Sequence, residues 1–171
     1  MRACLSAFVL ILVVQGAGYV VATAQTTKYG VTVEESRPDA LAKVKTYTWT
    51  AGQPSTDKTV DQQIIAAVDR ELKALGLTKL ATGQGDARVT YASQRRTDAD
   101  EKAKPSATGA LPTYAVGVLV VQLRESASGQ MLFNAKVNSP IDVEPAKLEA
   151  AINAAATALF EQYPGRAPVK R

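Results

Sequence analysis

The stretch Tyr114-Ala-Val-Gly-Val-Leu-Val-Val-Gln-Leu-Arg124 is apolar in both of its alternating sets, Val116/Val118/Val120 and Leu119/Val121/Leu123. Successive side chains of a strand point to opposite faces, so such a strand belongs inside a sheet with both faces at least partly covered. That requirement commits the chain to a layered fold with strands on either side of this one. Ser126 to Gly129 reads as a turn, and Met131, Phe133, Ala135 and Val137 alternate with polar residues as the hairpin partner.

The other elements follow from period. Tyr29, Val31 and Val33 alternate with Lys28, Thr32 and Glu34, and Lys45 to Thr50 is rich in aromatic and β-branched residues; both read as strands. Val89, Tyr91 and Ser93 form a third alternating run. Ile64, Ile65, Val68, Leu72 and Leu75 recur at helical spacing behind a capping box at Thr59–Gln62, and Gly76 is a helix stop. On that helix Asp69 and Lys73 are spaced to pair on the solvent side. Pro145 opens a second, alanine-rich helix through Leu148, Ile152, Ala155 and Leu159. Arg96 to Pro112 has no period and is expected to be a mobile loop. The order β-β-α-β-β-β-α predicts an α+β two-layer sandwich, about five mainly antiparallel strands with two helices on one face. A single domain is expected over residues 25–164, with a frayed basic tail at 165–171.

The first 24 residues are read as a signal peptide. Arg2 gives a positive start, residues 8–14 are an unbroken apolar run, and Ala22-Thr23-Ala24 fits a signal peptidase site before Gln25. The alternative is an uncleaved inner-membrane anchor, since residues 5–24 approach the length of a spanning helix. Cleavage predicts a periplasmic protein. It also removes Cys4, leaving neither a thiol nor, with no histidine in the chain, an imidazole. Histidine-based triads, disulfides and imidazole or thiolate metal sites are thereby excluded. Only Arg2 of the 20 Lys+Arg lies in the leader and none of the 16 Asp+Glu does, so the remainder carries 19 positive against 16 negative groups. This weak, scattered balance offers no basic stripe for nucleic acid.

Taken in order, Lys43–Trp49, the helix from Val60 to Leu77, Asp86–Tyr91, Tyr114–Val121, Ser128–Phe133 and the last helix ending at Pro164 resemble domain-of-unknown-function family 4136. The resemblance covers about residues 26–164. It implies a small bacterial envelope protein related to chains mostly regarded as lipoproteins, and it supplies no catalytic residues. This sequence departs from that pattern in lacking a lipid-attachment cysteine after the leader, and in carrying Phe133 where the resemblance would place tryptophan.

Carboxylates remain as candidates for chemistry: Asp39, Asp61, Asp69, Glu71, Asp86 and Asp142. Each has a plainer reading: Asp61 supports a helix N-terminus, Asp69 and Glu71 lie on or beside a solvent face, and Asp86 sits in a turn. Asp98, Asp100 and Glu101 form a solvated charge run rather than a calcium site. No Ser-x-x-Lys occurs, and Gly83-Gln-Gly85 does not open a helix. The expectation is therefore a non-catalytic interaction or ligand-binding module without cofactor or metal. Tyr47, Trp49, Tyr91 and Tyr114 are the candidates to line an aromatic contact face on the uncovered side of the sheet, where an apolar patch would mark a partner site. The alternative is a carrier holding a small apolar envelope molecule between helices and sheet. An envelope protein partner or an edge-to-edge homodimer completes the expected partners. Amino-terminal sequencing of protein purified from the envelope should read Gln25; a terminus at Met1 would establish the uncleaved anchor instead.

Overall fold

The computed structural model describes residues 30–141 and 144–165. The leader, Cys4, Lys28, Tyr29, Asp142 and the tail beyond Gly165 lie outside them. The elements are β1 (Gly30–Ser36), α1 (Pro38–Leu41), β2 (Thr46–Trp49), α2 (Lys58–Ala74), β3 (Thr78–Lys79), β4 (Ala87–Ala99), β5 (Thr113–Glu125), β6 (Met131–Pro140) and α3 (Pro145–Glu161).

One six-stranded sheet has the order β1-β6-β5-β4-β2-β3, which places the doubly apolar β5 in the interior. β1, β6, β5 and β4 pair antiparallel, while β2 lies parallel to both β4 and β3. The sheet is thus mixed, and the described residues form six strands and three helices where the sequence suggested about five strands and two helices. α2 is the crossover that lets β2 and β4 run the same way. β3 has two residues and α1 one turn, both too short to show a period.

α2 and α3 pack against each other on one sheet face. Ile64, Val68 and Leu72 of α2 and Ile152, Leu159 and Phe160 of α3 share one core with Val89, Val121, Leu123 and Phe133. Phe133, Phe160 and Tyr163 form a ring cluster with centroids 5.3–6.2 Å apart. α2 starts earlier than the capping box suggests. Asp57 Oδ1 accepts from Thr59 N at 2.8 Å and Val60 N at 3.3 Å, so aspartate and not Thr59 is the cap. Gly76, at φ +85°, ends the helix, with Leu77 N donating to Leu72 O at 3.0 Å. Asp86 Oδ2 accepts from Lys45 N and Thr46 N, both at 2.9 Å, and these bonds hold its carboxyl below the usual range.

The segment expected as a loop from Arg96 is strand as far as Ala99, which pairs with Thr113. Ladder bonds hold this end of the hairpin outside the main core, so residues 96–99 lack a strand's apolar alternation. The connection, residues 100–112, is tied by Asp100 N to Pro112 O at 2.8 Å and Ser106 N to Ala110 O at 2.8 Å. Phe160 is fully buried among rings, so Phe160→Ala should lower the unfolding free energy by about 3–5 kcal/mol in urea titration.

Candidate functional site

Row by row, the helix-facing side chains of the sheet diminish along β4. The register stacks Val89/Leu123/Phe133, then Tyr91/Val121/Ala135, then Ser93/Leu119/Val137, and finally Arg95/Gly117/Ser139. Above the last rows α3 presents Ala151 and Ala155 and α2 its first turns. Small residues on both layers leave a groove of about 600 Å³. Val60, Ile64, Leu119, Ile141, Leu148 and Ile152 make its walls apolar; Ser55, Thr59, Gln63 and Arg95 supply polar groups. Gly117 leaves room there for Ile141, whose Cγ2 would lie 3.0 Å from an added Cβ and would have to shift. A groove of this size and lining suits an apolar ligand with a few polar contacts.

The four aromatic candidates are not brought together on an uncovered face. Tyr47, Trp49 and Tyr91 lie on the helix-covered side, with Tyr47 1% and Tyr91 6% exposed. They meet the carboxylates of α2. Tyr47 Oη and Trp49 Nε1 donate to Asp69 Oδ1 at 2.7 and 2.8 Å, and Lys79 Nζ reaches Asp69 Oδ2 at 2.8 Å. Asp69 therefore pairs with Lys79, not with the expected Lys73, because the aromatic donors turn it towards the sheet edge. Tyr91 Oη donates to Asp61, and the Trp49 and Tyr91 rings meet edge-on at 6.1 Å. Tyr114 lies apart, half-buried, on the opposite face and across from Asp98.

That opposite face is no apolar patch. Val116 and Val118 are buried on it, beside half-buried Gln122, Asn134 and Lys136 and exposed Gln94. Among the described residues Val33 is the large hydrophobic side chain that stands exposed, at 37%. Glu71, expected near solvent, is 4% exposed between the helices, where Thr157 Oγ1 donates to it at 2.7 Å and Arg70 at 3.0 Å. No spacing rule locates such a partner on a helix more than eighty residues away. Among the described residues no three His, Cys, Asp or Glu side chains converge as a metal site. No helix among them is long and apolar enough to cross a membrane.

Two helices on one face of a mixed sheet make this a small α+β domain. It belongs to the domain-of-unknown-function family DUF4136, whose model matches residues 27–165. No curated protein matches it in sequence. Among solved structures it is similar to a PDZ domain protein from Parabacteroides distasonis, with 13% identity and TM-score 0.55 over 81% of this chain. The chain spans 36% of that protein's length. It is likewise similar to the PelC dodecamer from Paraburkholderia phytofirmans, at 10% identity and TM-score 0.55, covering 80% of this chain and 98% of that one. At such identities the likeness is one of fold.

Burial and the Asp69 bond raise the Tyr47 phenol well above its ordinary value, and burial with the Asp61 bond raises Tyr91 to about 12. A tyrosine raised on folding stabilises the fold fully below about pH 10, its unfolded value, and that contribution is lost as pH rises through the folded value. Thermal denaturation should therefore show stability falling from about pH 10 towards 12, with a shallower fall in Tyr91→Phe.

Proposed function

We propose that the protein is a non-catalytic binding module of the bacterial envelope that holds an apolar molecule in the groove between α2, α3 and the sheet. The observation that carries this reading is the groove itself, formed where Gly117, Ser139, Ala151 and Ala155 replace the large core residues of the preceding rows. The leader-like first 24 residues and family membership support the envelope location. A chain without histidine, and with its one cysteine in that leader, supports binding over catalysis. Arg95 at the groove favours ligands with an anionic or hydrogen-bond-accepting end.

Self-association is a second reading, favoured by PelC being a dodecamer on a shared fold and by open strand edges in this chain.

Native mass spectrometry of protein purified from the envelope should show retained ligand mass. Ala155→Trp, which fills the groove, should abolish that mass and weaken binding of a fluorescent apolar probe at least about tenfold while the melting temperature stays near wild type. Undiminished probe binding by this variant would end the groove reading.

A further inference from the structure

Among the described residues the sheet ends at β1 on one side and β3 on the other, and the far half of β4 runs on beyond β2 without a neighbour. β2 flanks β4 only as far as Val89, and one further bridge joins Gln53 to Ala92. Gln53 N donates to Tyr91 O and Gln53 O accepts from Ser93 N, both at 3.0 Å. Odd-numbered residues of β4 thus turn their backbone groups outward, and at Arg95 and Thr97 no strand meets them among the described residues. Residues 94–97 are exposed. At the other end of the sheet β1 pairs with β6 on one side, and its outer side meets no described strand. Unpaired edges of this kind are templates for another strand.

Charge and direction decide which strand. The β4 edge carries Arg95 and Arg96 against Asp98, an excess of positive charge, and β1 carries Glu34 and Glu35. Pairing β1 with β1 gathers glutamates with no cation in either strand, and pairing β4 with β4 leaves an excess of arginine over Asp98, so each leaves like charge in excess. Pairing β1 with β4 sets opposite charges together. Three antiparallel steps separate the two strands, so β1 runs antiparallel to β4. A second copy that continues the sheet in the same sense therefore presents β1 antiparallel to β4, with both helix layers on one side. The glutamates' existing contacts are exposed ones, Arg37 to Glu35 at 3.6 Å and Asn134 to Glu34 at 2.8 Å, while Arg96 also meets Asp98 at 2.9 Å.

We propose that copies of this chain assemble head to tail, β1 of one copy adding antiparallel to the β4 edge at residues 93–99 of the next. The contact joins two different patches, so copies close into a ring or continue as a filament. It also gives the exposed Val33 a neighbouring strand on its open side.

The test is sedimentation velocity over a concentration series of the protein purified from the envelope. Wild type should show concentration-dependent oligomers. Glu34→Lys with Glu35→Lys, and separately Arg95→Glu with Arg96→Glu, should each weaken association by about tenfold or more, and mixing the two reversed proteins should restore it. Thr97→Pro removes an outward N–H without touching the β4–β5 ladder and should also give monomers. Circular dichroism confirms that each variant is folded. A monomeric wild type at every concentration overturns the proposal, as does an oligomer indifferent to the Glu34/Glu35 reversal. Stable capture of another protein's strand by a chain that never self-associates also overturns it. The β1 variant leaves the groove intact, so its probe binding distinguishes failure here from failure of the groove reading.

Discussion

The thirteen-residue ladder between β4 and β5 fixes almost everything else in the molecule. Its register sets Val89 against Leu123 and Tyr91 against Val121 under the helices, and it brings Arg95 and Gly117 to the groove floor. A slip of one residue would exchange the two faces, placing Gln122 and Arg124 against the helices. The apolar set Leu119/Val121/Leu123 prevents that slip, since each member is buried. The same register turns Arg95 and Thr97 outward along the strand edge. Core, groove and open edge are thus consequences of one alignment.

α2 is held to this frame by more than its apolar stripe. Asp69 and Asp61 face the sheet edge instead of water, each accepting from an aromatic side chain of β2 or β4. These bonds orient Tyr47, Trp49 and Tyr91 while the rings themselves fill the core. Buried phenols need such acceptors, because an unpaired hydroxyl in that position costs about 1–3 kcal/mol. Aromatic residues that could have served a partner are therefore spent on fastening α2. On the other side of the helix, Glu71 with Thr157 and Arg70 with Asn153 fasten it to α3.

Much of this architecture was legible in the sequence, for definite reasons. β5 announced its interior place because both its faces are apolar, and α2 and α3 announced themselves by helical spacing. The β2-α2-β4 crossover was not legible, because strand direction leaves no local mark in Thr46–Trp49. β4 beyond Gln94 read as loop because strand pairing outside a core needs no apolar alternation. The aromatic candidates were found, but their side of the sheet was misjudged: Tyr47, Trp49 and Tyr91 share the buried face, and only Tyr114 has the opposite parity. Deciding between those faces required the partners Asp61 and Asp69, which lie on another element and obey no sequence period. A pocket between helix and sheet was foreseen from the alanines of α3; its position followed from Gly117 and Ser139, whose rows are set only by the register.

Groove and edge share β4, and this relates the two proposals physically. Arg95 contributes its side chain to the groove and its backbone N–H and C=O to the open edge. In the proposed assembly a neighbouring β1 lies along residues 93–99, beside the groove floor at Ser93 and Arg95. Glu34 bonds Asn134 and Glu35 is in register with it, on the face away from the helices, so in that assembly the β1 carboxylates meet the side of Arg96 and leave the Arg95 side chain to the groove. One strand thus serves both proposals with opposite faces, because the register that turns Arg95 under the helices turns Arg96 away from them.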